Sequence, residues 1–132
     1  MIKRKISTLS LAIVFVGGTF LTSCKKYDDG GRHSRADNIV VKHSWKISSA
    51  TDLEDNTNIT SDYYGEVWEF TKDDEFLENS NKKGTYYFSV DKTKLIISKT
   101  NGGTDTYTIV KMKKDEMILN EKNEEELTLI EN

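Results

Sequence analysis

GTYYFSVDKTKLIISKTNGGTDTYTIVKM, residues 84–112, decides the fold of this chain. In GTYYFSV, Tyr86, Phe88 and Val90 alternate with Thr85, Tyr87 and Ser89. TKLIISK sets Leu95 and Ile97 on one face, and DTYTIVKM sets Tyr107 and Ile109 against Thr106, Thr108, Val110 and Met112. Successive side chains of a strand point to opposite faces, so this period of two in β-branched and aromatic residues predicts three strands. Asp91-Lys92-Thr93-Lys94 and Asn101-Gly102-Gly103 divide them. Connections that short fit hairpin loops rather than crossover helices, and Asn-Gly tolerates positive φ at little cost.

The same pattern extends in both directions. SWKISSA puts Trp45 and Ile47 on one face, and YYGEVWEFT puts Tyr64, Glu66, Trp68 and Phe70 on one face. EFLEN is a short run, EMILN offers Met117 and Leu119, and ELTLIE offers Leu127 and Leu129. Turn residues separate each pair of runs, and no stretch shows a convincing 3.6-residue period. The expectation is an all-β fold: a small up-and-down antiparallel barrel of about eight strands, closed so that no strand edge is left exposed. Trp45, Trp68, Phe70, Tyr86, Phe88, Leu95, Ile97, Tyr107, Ile109, Met117, Leu119 and Leu127 are the inward candidates. A barrel of eight strands is just wide enough to be filled by side chains or to hold one small molecule. A domain of about 95 residues buries only about 60–65% of its unfolded-chain surface, which favours these residues as core.

The first 23 residues read differently. Lys3, Arg4 and Lys5 precede an uncharged run from Ile6 to Leu21 whose apolar heart, Leu9 to Phe20, is interrupted by Gly17-Gly18. That length suits a secretory signal and falls short of the roughly 20 apolar residues that span a bilayer. The run ends in Leu21-Thr22-Ser23-Cys24, and Cys24 is the single cysteine of the 132 residues. This segment resembles the signal peptide and lipobox of bacterial lipoproteins. The resemblance implies diacylglycerol on the Cys24 sulfur, cleavage after Ser23, and fatty acylation such as palmitate on the new terminus. Two or three acyl chains hold a protein to a membrane where one holds it only marginally. Lys25, rather than Asp, follows the cysteine and resembles the pattern that permits export to the outer membrane. KKYDD resembles the charged signals of surface-exposed lipoproteins in Bacteroidetes-type bacteria.

Residues 24–37 have almost no aliphatic content and carry Gly30-Gly31, so they are expected to form a flexible tether. The chain thus divides into 1–23 (cleaved signal), 24–37 (tether) and 38–132 (barrel). Trp45, VWEFTKDDEF (67–76), GTYYFSVDKTKLII (84–97) and YTIVKMKKDEMIL (107–119) give the body a resemblance to small lipocalin-like domains of lipoproteins from Bacteroidetes-type bacteria. His43 stands where the lipocalin first strand usually carries a glycine, two residues before its tryptophan. The resemblance implies the barrel and no particular substrate.

TDLEDNTNITSD, residues 51–62, is a long acidic stretch between the first two expected strands, where a binding loop of such a barrel sits. Asp52, Glu54, Asp55, Asn56 and Asn58 are its candidate partner-contacting residues. Asp52, Glu54, Asn56 and Asn58 alternate as early calcium ligands do, but Thr57 holds the place of the sharp-turn Gly and Tyr63 that of the bidentate Glu, so a solvated surface loop is expected. His33 and His43 have no neighbouring ligand cluster, and neither a cofactor nor a metal is expected. The net charge is -3, but Lys3, Arg4 and Lys5 account for three of the 19 basic residues, leaving 16 against 22 acidic ones beyond residue 23. That acidic body argues against nucleic acid as partner. Cys24 is taken by lipid, and no serine is placed to meet a histidine and an acid, so no enzyme is expected. The reading is a lipid-anchored, outer-membrane lipoprotein whose barrel is a non-catalytic binding or accessory module for a protein partner. The alternative is carriage of a small apolar ligand inside the barrel. A perturbed titrating group in a cleft would favour a hydrolase instead.

Overall fold

A computed structural model describes residues 25–132. Cys24 and the signal-like segment lie outside the described residues. Nine antiparallel strands follow one another: β1 (Trp45–Asp52), β2 (Thr57–Asn58), β3 (Val67–Phe70), β4 (Glu75–Glu78), β5 (Asn81–Phe88), β6 (Lys94–Lys99), β7 (Thr104–Lys113), β8 (Glu116–Glu121) and β9 (Glu125–Glu131). Strand β1 pairs with β3, each later strand pairs with the next, and β9 returns to β1, with Trp45 opposite Glu131 and Asp52 opposite Glu125. The result is the closed eight-stranded up-and-down antiparallel barrel that the alternation predicts. Strand β2 is a two-residue extra, a hairpin return on β1.

Closure gives each strand of the barrel a paired neighbour on both sides, although β1 and β3 pair at only two positions, and tight turns make it possible. Between β4 and β5 the link is Asn79-Ser80 alone, both at positive φ (52° and 68°), as a two-residue type I′ hairpin requires. The middle of the barrel is packed by Trp45, Phe70, Phe76, Leu95, Ile97, Met112, Met117, Leu119, Leu127 and Leu129, all essentially without solvent exposure. An aromatic series runs through it, with Trp68 edge-on to Phe76 at 5.3 Å and Phe70 edge-on to Tyr86 at 4.9 Å between ring centroids.

Two bulges change the faces that simple alternation assigns. In β7, Ile109 lies opposite Leu119 and Lys111 opposite Ile118, so Val110 is an extra residue. That one-residue slip turns Met112 from the expected outer face into the core, at 0% exposure. In β1 the slip falls at Ser48, and it buries Ala50. Strand β5 ends at Phe88, which is half-buried, so Val90 stands fully exposed in the following turn instead of continuing the inner face. Tyr64, expected beside Trp68, precedes β3 and is 94% exposed.

The barrel has two unlike ends. One collects the turns 71–74, 89–93 and 114–115, and there residues 25–44 cross the opening. The structure differs here from the expected flexible tether over 24–37. Tyr27 and Ala36 belong to the core cluster, and the domain begins before residue 38. Backbone bonds hold this strap: Asp29 N–H to the Val110 carbonyl at 2.9 Å and Met112 N–H to the Gly30 carbonyl at 3.1 Å. Gly31 lies so close that a Cβ there would stand 1.9 Å from the Met112 carbonyl oxygen. A single-turn 3-10 segment, His33–Arg35, runs into the short helix α1 (Ala36–Val40). The Val40 carbonyl accepts the Trp45 indole N–H at 3.0 Å, and the His43 ring packs 4.5 Å from that of Trp45. Thus this end is closed. The other end, formed by residues 53–66 and the turns after β4, β6 and β8, is open.

Candidate functional site

The open end is an acidic cup of about 230 Å³. Glu66 enters from the link before β3, Glu78 from the end of β4, Asp105 from the start of β7 and Glu121 from the end of β8. The walls are aromatic: Trp68, Phe76, Tyr63 and Tyr107. Tyr63 arrives on the 3-10 turn Thr60–Tyr63, just after β2, and donates its hydroxyl to Glu125 at 2.6 Å. The Trp68 indole N–H donates to Glu66 at 3.0 Å. Lys99 is the one cation lining the cup, and it pairs with Asp105 at 3.0 Å.

The electrostatics follow from gathering like charges where water is scarce. Burial, and then hydrogen bonding to Glu78, push the Glu66 carboxyl up to about 7, against the opposing pulls of the Trp68 indole and Lys99. Burial and the charges of Asp105 and Glu125 raise Glu121 as well. Tyr107 is 6% exposed, and burial beside Glu121 and Asp105 holds its hydroxyl protonated far above the ordinary tyrosine range. Carboxylates around aromatic faces suit a cationic group, such as an ammonium or guanidinium from a partner, better than an apolar one.

Loop 51–62 stands at this same end and leads into Tyr63 of the cup wall. Its acidic residues shape the chain as well as charge it. The Asp52 carboxylate accepts the Glu54 N–H at 3.0 Å, Asp55 accepts the Thr57 N–H at 3.2 Å, and Asn58 accepts the Thr60 N–H at 2.9 Å. Asn56 takes positive φ, 58°, between the two strands. Thr57 and Asn58 pair with Asp52 and Thr51, so the stretch is a hairpin rather than a loop wrapped round an ion. Glu54, Asp55, Asn56 and Asn58 are exposed and Asp52 is half-buried. The structure therefore brings the five candidate loop residues together at the open end. It adds Glu66, Glu78, Asp105 and Glu121, which lie far apart in the sequence, and Tyr107, one of the expected inward residues.

Glu66 is a perturbed acid in a cleft, the sign that favours a hydrolase. The titrating residues lining the cup are carboxylates, two tyrosines and Lys99, with no serine, threonine, cysteine or histidine among them, so the acid–base chemistry open to it is that of the Glu66–Glu78 pair. The chain matches no protein-family model and no curated protein.

Proposed function

We propose that this chain is a lipid-anchored extracytoplasmic lipoprotein whose small lipocalin-like barrel is a non-catalytic binding or accessory module. The anchor is diacylglycerol on Cys24, at the outer membrane. The contact surface is the open end, loop 51–62 with the cup beneath it, and the partner is a protein that offers lysine or arginine side chains. One observation carries this reading: the chain enters the barrel at the closed end, opposite the acidic open end. An anchor on residue 24 would leave the open end facing away from the membrane. Carriage of an apolar ligand fits less well. The middle of the barrel is filled, and the cup is acidic and smaller than the ~300–1,000 Å³ of ordinary ligand sites.

The test is capture of partners from the native cell envelope by wild type and by Asp52→Asn/Glu54→Gln/Asp55→Asn. These substitutions keep the side-chain oxygens that accept Glu54 N–H and Thr57 N–H while removing three charges. Loss of the captured proteins supports the open-end surface; an unchanged set removes it. The anchor is tested separately by Cys24→Ala, which should abolish labelling with radioactive palmitate and leave the precursor uncleaved.

A further inference from the structure

We propose that the closed end of the barrel is itself a docking face for an anionic membrane surface, through a groove of unpaired cations beside α1. The groove, about 830 Å³, lies between the strap with α1 and the β7–β8 turn. Arg32, Arg35, Lys42, Lys113 and Lys114 line it, with Asp115 as the one acidic lining residue. All five cations are exposed. None of them takes part in an ion pair among the described residues, whereas Lys82, Lys92, Lys99 and Lys111 each hold a carboxylate. In a body with more acidic than basic residues, five neighbouring cations without internal partners repel one another and gain nothing within the fold. An external negative surface balances them. Of the other acids at this end, Asp28 and Asp29 occupy the strap's turn, Asp73 and Asp74 the β3–β4 turn and Asp91 the β5–β6 turn, all outside the groove lining, and Asp37 is engaged by Lys92 at 2.7 Å.

Two further observations select lipid headgroups over a small free anion. First, the chain exits at the groove. The Lys25 carbonyl accepts the His33 N–H at 3.1 Å and Lys26 bridges to Arg32, so residue 24 is one peptide away from this anchored point, about 3.8 Å between Cα atoms. Second, Val90, fully exposed, projects from the β5–β6 turn at the same end, an apolar tip suited to the headgroup boundary. A lysine or arginine near an anionic leaflet strengthens binding about fivefold, and the field reaches about 8 Å at physiological salt, so cations must lie against the surface to act. The acyl contribution rests on the lipoprotein reading; the headgroup contribution does not.

The experiment uses residues 25–132, which hold the complete barrel and its core but no acylation site. Cosedimentation is measured with vesicles of phosphatidylcholine and of an equimolar phosphatidylcholine–phosphatidylglycerol mixture. Binding to the mixed vesicles is expected, weakened about tenfold or more on phosphatidylcholine, and lost near 1 M salt. Lys113→Glu/Lys114→Glu should weaken it as much, while Lys83→Glu/Lys122→Glu, the same change in net charge at the open end, should not; circular dichroism checks that both fold. Equal binding to both vesicles, equal loss in both variants, no binding at all, or displacement by inorganic phosphate at constant ionic strength would overturn the proposal. Palmitate labelling of Cys24 is unaffected by any of these outcomes, so this inference and the anchor fail separately.

Discussion

The Tyr27 hydroxyl donates to the backbone carbonyl of Lys92 at 2.7 Å, joining positions 65 residues apart across the closed end of the barrel. One side chain thereby ties the entering strap to the β5–β6 turn. Burial first, then the charges of Asp37 and Asp91, hold that phenol protonated, with its pKa pushed up to about 12. Tyr27→Phe should cost about 0.5–1.5 kcal/mol by leaving the carbonyl without its donor. Tyr27→Ala, which also empties a core position, should cost about 3–5 kcal/mol. Urea denaturation separates the two; equal, negligible costs would show the strap detached from the fold.

Gly31→Ala tests the same closure through the backbone. Gly31 has φ +96°, and its added Cβ would meet the Met112 carbonyl. The strap must then move off β7, and a loss of several kcal/mol is expected, with faster amide exchange at Asp29 and Met112. Stability within experimental error of wild type would contradict the packing described.

The β7 bulge makes a prediction that simple alternation does not. Val110 and Met112 share a face in a regular strand, yet Met112 is fully buried and Val110 only partly. Met112→Ala should cost about 2–5 kcal/mol. Val110→Ala should cost about 1 kcal/mol or less, as at other partly exposed sites. Similar values for the two would place the slip elsewhere.

The cup carries a pH signature. Glu66, raised from 4.5 to about 7, binds its proton more tightly folded than unfolded. Its contribution to stability is therefore fullest below pH 4.5 and is lost as pH rises through about 7. Glu66→Gln keeps an oxygen for the Trp68 indole and stays neutral at every pH. The variant should match wild type near pH 4.5 and exceed it near pH 8, read as melting temperature across that range. A variant less stable than wild type at pH 8 would contradict the desolvation argument.

The loop's shape and charge are separable. Asp52→Asn/Glu54→Gln/Asp55→Asn should change stability by no more than about 0.5 kcal/mol, since the turn acceptors remain. Asp52→Ala and Asp55→Ala should each cost about 0.5–1.5 kcal/mol by removing them. If both sets cost the same, the side-chain acceptors do not shape the loop.

The barrel was legible because its strands bury one face and expose the other, so Trp45, Trp68, Tyr86, Leu95 and Tyr107 announce themselves by spacing alone. The strap was not, because backbone bonds at Asp29, Gly30 and Met112 hold it, and these leave no side-chain pattern. Its apolar contribution, Tyr27 and Ala36, is too sparse to read as periodic, and α1 is only five residues long. Bulges were hidden for a related reason: a single extra residue at Ser48 or Val110 changes the register without changing composition. Of the open end, loop 51–62 showed as a local acidic run. The cup did not, since Glu66, Glu78, Asp105 and Glu121 meet only when four separate segments close around it.

The most direct test of the functional account is the mass of the amino-terminal peptide of the native protein, purified from membranes. The account predicts a chain that begins at Cys24 and carries diacylglycerol and a fatty acyl group. An unmodified chain that begins at Met1, recovered from the soluble fraction, would contradict it.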